Sequence, residues 1–368
     1  MNGGSSVLYI IPSLSYRGGE RYGIACASGV VKSGGSTAIL AGRVEKGHVR
    51  MPDGVHLYRF PRIINHLIQN NLLYFFLTFP IIFTLLLTYS KGYAILESAS
   101  GPSLWASVIV AKIFAKKVVW VLHFSDIWKS NSVLAAIDNF FARYVDAAKT
   151  VVPGDVEVIK RVYGIKKVMG SYPPLPLDRL KTSNTYKKKK QSLLVPSVLH
   201  PRKNLELVIA CMPTILQEFP DTSLIFVGEG RDRQRLTKVA LDLGVGNCVH
   251  FVGAVGYDRL IEYYHKSELV LVPYYKGEGL TVVPFEALAA GSMCVIASGS
   301  AASSTVAKAG IGIVANPTVP EFSKAIAAYL RTPAKFEKLK VRGIQWVMKN
   351  MNLPAFWKQN TKLYKALS

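Results

Sequence analysis

The stretch "SYPPLPLDRLKTSNTYKKKKQSLLVPSVLHPRKN", residues 171–204, decides how the chain is organised. Prolines crowd its first six residues, and a polar, lysine-rich run without an apolar period follows, so neither a helix nor a buried strand continues through it. "SLLVPSVL" then starts a new apolar series. Ahead of the break, "VLYIIPSL" (residues 7–14), "TAILAG" (residues 37–42), "VHLYRF", "YAILES", "KVVWVLH" and "KTVV" read as short strands buried on both faces, the pattern of a parallel sheet. Helix-length stretches such as "PSLWASVIVAKIFAKK" and "SVLAAIDNFFARYVDAAK" lie between them. Beyond the break the alternation repeats: "SLLVPSVL", a helix from Lys203, "SLIFVGEG", a helix from Arg231, "CVHFVG", "ELVLVPYY", a helix running toward Gly291, and "CVIASG". The reading is α/β, with two doubly wound domains in tandem. Residues 1–178 form the first, 179–190 a basic linker and 191–350 the second, and a C-terminal helix over 351–368 is able to return to the first domain.

At 368 residues, half of them hydrophobic, the chain has enough apolar material for two cores. Its 45 Lys and Arg against 23 Asp and Glu give a net charge of +22, which points to an anionic partner: membrane lipid, nucleic acid or a phosphorylated substrate. Cys26, Cys211, Cys248 and Cys294 form no CxxC pair, so neither a zinc site nor a disulfide framework is indicated, and a reducing compartment fits. The opening "MNGGSSVLYIIPSLSYRGGE" lacks a charged segment ahead of its short apolar run and reads as a first strand rather than a leader.

Open parallel sheets bind ligands beyond the carboxyl ends of their strands, so the strand-to-helix loops carry the chemistry. "YRGGERYG" follows the first strand, and Gly18 and Gly19 there allow close backbone approach at a helix N-terminus, an anion site in principle. "HPRKN" follows the first strand of the second half and offers Arg202 and Lys203 to a diphosphate. "GEGLTVVPFEALAAG", residues 277–291, sets Glu278 and Glu286 eight positions apart. A helix from near Leu280 places the amides of Gly279, Leu280 and Thr281 at its positive end, with Glu286 a turn and a half further on. Taken singly, each loop has a plainer reading: a tight turn, two solvated cations, a capping charge and a surface acid.

Together they form a pattern. The spacing Glu-x7-Glu in "EGLTVVPFEALAAGSMCVIAS", with "ELVLVPYY", "FVGEGRDRQRL", "VHFVGAV", "PRKN" and the early "RGGE", resembles the retaining glycosyltransferases of the GT4 family, densest from about residue 193 to 300. The resemblance implies the GT-B fold, two Rossmann-like domains facing each other across a cleft, and hexosyl transfer from a nucleotide-sugar, UDP- or GDP-linked, bound mainly by the second half. By position, Glu286 would hold the ribose hydroxyls and Glu278 hydroxyls of the donor sugar. Lys203 would neutralise the diphosphate with help from the Leu280 and Thr281 amides and the Gly18–Gly19 segment, Val252 would lie near the base, and His123 would sit by the transferred sugar. The resemblance implies retention at the anomeric carbon with no cofactor and no obligatory metal; there is no Asp-x-Asp run, and charge neutralisation falls to Lys203, Arg202 and backbone amides. Two positions depart from the family pattern. Ser197, Val198 and Leu199 stand where Gly-Arg-Leu is usual, so that either Arg202 supplies the missing charge or phosphate is held more weakly, and Thr281 stands where glycine is common.

On the acceptor side, residues 72–89 run without a charge, long enough to span a bilayer. A crossing there would split one sheet between two sides of the membrane, and Pro80 interrupts a helix. The segment is therefore read as a bent helix or helix pair lying in the interface, or else packed on the sheet, with Tyr74, Phe75, Phe76, Phe79 and Phe83 available to lipid. Lysines at 116–117, 166–167 and 187–190 add attraction to anionic lipid. The combined reading is a peripheral or monotopic enzyme at the cytoplasmic membrane face, acting on a lipid-linked saccharide or glycolipid. A catalytically impaired nucleotide- or carbohydrate-binding subunit and a GT-B sugar-nucleotide epimerase are the alternatives; no recognition-helix, RNP-like or zinc pattern supports nucleic acid.

Overall fold

The computed structural model describes residues 5–14, 18–44, 51–59, 71–99, 101–122, 133–181, 186–274 and 280–367. The chain divides into two compact units. Met1–Pro174 with Leu353–Ser368 make the first, and Leu175–Asn352 make the second, which is thus inserted within the first.

The first unit holds seven parallel strands: β1 (Ser6–Leu14), β2 (Ser36–Val44), β3 (Val55–Arg59), β4 (Ile95–Ser98), β5 (Lys117–Leu122), β6 (Ala147–Thr150) and β7 (Val168–Gly170). Their order is β3-β2-β1-β4-β5-β6-β7, so the winding direction reverses between β1 and β4. The strand read as "KTVV" is displaced: β6 ends at Thr150, and the helix before it stops at Ala142.

Both sheet faces are covered, which is why these strands carry continuous rather than alternating apolar runs. On one face Leu8, Ile10, Leu96, Val118, Trp120 and Leu122 pack with Ile82 and Leu86 of helix Asn71–Tyr89 and with Leu104, Trp105 and Val108 of helix Pro102–Ile113. The segment 72–89 was read as a bent helix or a helix pair; it is one helix of 19 residues, Asn71–Tyr89, with Pro80 inside it. A proline deletes a single amide donor, and here its ring lies on the exposed side while its own carbonyl accepts from Thr84 Oγ1 at 2.8 Å. In the described half, Pro80, Thr84 and Thr88 form the exposed stripe opposite the fully buried Ile82 and Leu86, so that half is an amphipathic packing helix. Among the described residues, no helix is long and apolar enough to cross a membrane.

The opposite face carries a polar network. Tyr9 of β1 stands in register with Glu97 of β4, and Lys149 of β6 sits beyond β5, opposite Val121. Lys149 and Glu97 are buried and pair at 2.6 Å. The C-terminal helix Leu353–Lys365 completes the arrangement: the Tyr364 hydroxyl donates to Glu97 Oε2 at 2.6 Å, accepts from Lys149 Nζ, and lies 2.9 Å from the Tyr9 hydroxyl. That helix is further held to helix Gly18–Lys32 by Trp357 Nε1 donating to the Ala25 carbonyl at 2.7 Å and by Cys26 Sγ on Asn360 Oδ1 at 3.6 Å. Burial, opposed by Lys149, pushes the Cys26 thiol up to about 12.

A buried ion pair costs desolvation for both members, so removing one partner is worse than removing both. Lys149→Met should lower unfolding free energy by about 3 to 5 kcal/mol in urea titrations, and the double change Glu97→Leu with Lys149→Met should recover most of it. Equal losses in the single and double variants would show that the pair is not what stabilises this layer.

The second unit repeats the plan with β8 (Lys189–Pro196), β9 (Ser223–Val227), β10 (Val249–Gly253), β11 (Ser267–Val272), β12 (Met293–Ala297) and β13 (Ile313–Ala315), in the order β10-β9-β8-β11-β12-β13. Part of the stretch read as linker is structured here: Leu177–Leu180 form a helical turn, and Lys189 already opens β8.

Candidate functional site

In the second unit the winding reverses between β8 and β11, so the segments leaving these neighbouring strands diverge and open a crevice at their carboxyl ends. After β8 the chain makes a 3₁₀ turn, Pro201–Lys203, capped by His200, whose Nδ1 accepts from the Arg202 amide at 3.2 Å. Loss of solvent and the nearby Arg231 and Arg202 charges hold the His200 imidazole below its ordinary value, which keeps that ring nitrogen an acceptor. A helix was expected from Lys203, but it starts at Glu206, because Asn204 adopts a left-handed backbone at φ 51° that ends the turn. The Asn204 side-chain Nδ2 then donates to the Pro273 carbonyl at 3.2 Å. Tyr274, buried just beyond β11, donates to the carbonyl of Pro196, the last residue of β8, at 3.0 Å. The ends of the two strands are thus fastened at two points, and the Lys203 amine lies 4.6 Å from the Tyr274 ring centroid.

The helix carrying Glu286 spans Val283–Ala289, three residues later than expected. Pro284 explains the shift: its fixed φ and missing N–H suit the first helical turn, so the helix begins immediately ahead of it. Leu280 and Thr281 therefore precede the helix instead of forming its positive end. The Phe285 and Glu286 amides are engaged with the Val282 carbonyl at 3.0 and 2.9 Å.

Glu286 is not a surface acid; it is only 3% exposed. Its Oε1 accepts from the Tyr257 hydroxyl at 2.8 Å and its Oε2 from the Tyr264 hydroxyl at 2.9 Å, both from helix Tyr257–Lys266. Burial and then the Glu286 charge hold the Tyr264 phenol well above its ordinary value, so it remains a donor. Arg179 lies 5.2 Å from the Tyr257 ring centroid and is ion-paired to Asp258. These tyrosines were not singled out in the sequence, although their i, i+7 spacing in "YDRLIEYYHK" puts them two turns apart on one helical face.

The glycines of "FVGEG" also acquire a physical reason. A Cβ on Gly228 would stand 1.9 Å from the Ser197 carbonyl oxygen, and one on Gly230 would stand 2.1 Å from that of Leu199. The segments after β8 and β9 pack backbone to backbone here, with the Leu199 amide donating to the Glu229 carbonyl at 3.0 Å. Val198, where the family pattern has arginine, is 46% exposed, and Arg202 is exposed as well. Val252, near the carboxyl end of β10, is 41% exposed. Gly18 and Gly19 form the first turn of helix Gly18–Lys32 rather than the loop before it. His123, Glu278 and Gly279 lie outside the described residues.

Several lysines nominated for lipid have intramolecular partners. Lys116 Nζ reaches the Tyr93 carbonyl, Lys117 pairs with Asp146 at 2.9 Å and Lys167 donates to the Ala366 carbonyl at 2.7 Å. Lys188 donates to the Ser267 carbonyl at 3.0 Å and to Ser292 Oγ at 2.5 Å, and burial of the amine with Lys340 nearby lowers its pKa to about 8.

Two Rossmann-like units wound in this order define a GT-B-type protein. Sucrose-phosphate synthase from Thermosynechococcus elongatus has the same fold, with a TM-score of 0.80 at 18% identity over 98% of this chain and 99% of that one. Anabaena HepE in complex with UDP gives a TM-score of 0.78 at 16% identity over 98% and 100% of the two chains. Residues 178–354, most of the second unit, match the family "Glycosyl transferases group 1". A GDP-mannose-dependent alpha-(1-6)-phosphatidylinositol monomannoside mannosyltransferase of Mycolicibacterium smegmatis is 30% identical over 161 residues, 42% of each chain. The similarity spans less than half the length of the curated relatives matched.

Adding one methyl at the backbone crossing tests how the crevice is built. Gly230→Ala should cost about 1 to 3 kcal/mol by overpacking and should lower hydrogen-exchange protection of the Leu199 amide. Unchanged protection at Leu199 would mean that the crossing tolerates the methyl group.

Proposed function

We propose that this protein is a glycosyltransferase that moves a hexose from a nucleotide-sugar bound by the second unit to a lipid-linked saccharide or glycolipid bound by the first. What supports the reading is the course of the chain: Lys203 lies on the segment after β8 and Glu286 on the helix after β11, the two strands between which the winding reverses, and in this reading they serve as a cation for the diphosphate and a carboxylate for the ribose. The names of the mannosyltransferase relatives make a GDP-sugar the first donor to test and a phosphoinositide-type glycolipid the first acceptor.

In this reading the departing diphosphate gathers negative charge, and a fixed lysine stabilises that charge more in the transition state than in the ground state. Transfer proceeds by front-face attack of the acceptor hydroxyl, with the leaving phosphate taking its proton and the anomeric configuration retained. No metal is required. By the resemblance, Glu278 would hold hydroxyls of the donor sugar and His123 would serve the transferred sugar. The exposed Val198 favours a second reading, a nucleotide-binding subunit without turnover, because a charge that the family pattern supplies there is missing.

A calorimetric panel of GDP, UDP and ADP with their common sugar conjugates tests the site. One nucleotide should bind selectively, and Glu286→Ala should weaken it by about 1.5 to 3 kcal/mol, the range for hydrogen bonds to a charged group. Binding without transfer to any glycolipid acceptor would move the subunit reading ahead. Binding of no nucleotide would overturn both.

We further place the protein at the cytoplasmic membrane face as a peripheral enzyme. The net charge of +22 supports this, as do the exposed Ile113, Phe114, Phe140 and Tyr144 of the first unit, with Lys112 Nζ 5.7 Å from the Tyr144 ring centroid. Sedimentation with phosphatidylserine vesicles is expected, weakened by salt and by Phe140→Ser with Ile113→Ser. Failure to sediment at low salt would remove the membrane from the proposal.

A further inference from the structure

The arginines of the second unit divide into two kinds. Arg179, Arg233, Arg235, Arg259 and Arg331 each pair with a carboxylate, and Arg342 donates to the Gly310 carbonyl. The other two, Arg202 and Arg231, are exposed, and among the described residues their guanidinium groups make no hydrogen bond or ion pair. The acids of the same segments are already taken. Arg235 grips both oxygens of Asp232, at 2.8 and 2.9 Å, and also pairs with Glu206, while Glu229 is paired with Arg233.

Arg202 follows β8 and Arg231 follows β9, and the backbone brings the two segments together. The Leu199 amide donates to the Glu229 carbonyl at 3.0 Å, and the Leu199 carbonyl accepts from the Asp232 amide at 3.2 Å, so Arg231 is held against the residue next to Val198. Loss of solvent, and then the charges of Arg231, Arg202 and Lys203 against that of Asp232, hold the His200 imidazole below its ordinary value. Cations gathered without acids repel one another, and a bound anion relieves that repulsion. A guanidinium fork matches the oxygens of a phosphate, and both arginines stand beyond the carboxyl ends of parallel strands, where such sheets take their ligands.

We propose that Arg231, delivered from the segment after β9, is the phosphate-binding cation that replaces the arginine missing at position 198, and that it meets the donor diphosphate together with Arg202. This rests on the reading of the second unit as the nucleotide-sugar domain and adds which side chain supplies the charge.

The test uses the full chain with Arg231→Gln, which removes the charge from an exposed side chain. Dissociation constants are measured by calorimetry for GDP, UDP, ADP and inorganic pyrophosphate, and by NMR titration for the corresponding nucleosides. Arg259→Gln, whose arginine pairs with Glu262, controls for net charge. Arg231→Gln should bind the preferred nucleoside diphosphate and pyrophosphate roughly tenfold more weakly, the loss of a hydrogen bond between charged groups, with the nucleoside within twofold. Arg231→Lys should recover part of the loss, and Arg259→Gln should cause none. Equal weakening of the nucleoside would give Arg231 a merely supporting role, equal weakening by Arg259→Gln would reduce the effect to net charge, and undiminished phosphate binding would leave Arg231 outside the site; each overturns the proposal. If Arg231→Gln instead abolishes sedimentation with phosphatidic acid vesicles and spares every nucleoside diphosphate, the arginines serve a lipid phosphate and the donor assignment falls. If the unaltered protein binds no nucleotide, the donor-domain reading itself fails and takes this proposal with it, an outcome distinct from nucleotide binding that Arg231→Gln leaves intact.

Discussion

A parallel sheet covered on both faces leaves polar side chains few places to act. Its strand interiors must be apolar, its backbone groups are consumed by the ladder, and helices seal the flanks. Chemistry is displaced to the carboxyl ends of the strands, where winding reverses and the connecting segments part. Both units obey this constraint, with reversals at β1/β4 and β8/β11. The layout of the second unit follows from it: Lys203 arrives on the segment after β8, Tyr274 after β11, and Glu286 on the next helix.

Where a polar group does sit inside such a sheet, it must be answered internally. Glu97 and Lys149 answer one another, and Tyr364 supplies both a donor and an acceptor to the pair. Glu286 is held differently, its two oxygens accepting from the phenols of Tyr257 and Tyr264. An ion pair neutralises a buried acid; a pair of phenols orients it.

The sequence made the strand pattern, the two halves and the crevice loops legible because apolar runs, turn residues and charges are local signals. Helix starts were less legible, since they depend on single backbone choices: Asn204 turning left-handed delayed one, and Pro284 fixed another three residues beyond Leu280. The tyrosines around Glu286 and the Tyr364 cluster were hidden for a different reason. Tyr364 meets partners 267 and 215 positions away, Glu97 and Lys149, and nothing in one sequence reports such pairings. The lysine runs were legible as charge but their internal partners were not, because a backbone carbonyl such as that of Tyr93 or Ala366 holds an amine without leaving any sequence trace.

The placement of Tyr364 also sets an order of events during synthesis. Lys149 leaves the ribosome 215 residues before the hydroxyl that completes its network, and at about 5 to 20 residues per second that is a delay of roughly 10 to 40 s. Throughout it the first sheet carries a charged pair with one face uncovered by its closing helix, while the inserted second unit, whose strands all lie between Lys189 and Ala315, is able to form. The half that begins first is thus the half that finishes last, and a nascent chain stalled between Asn352 and Tyr364 would present a chaperone with an unfinished first sheet beside a complete second one.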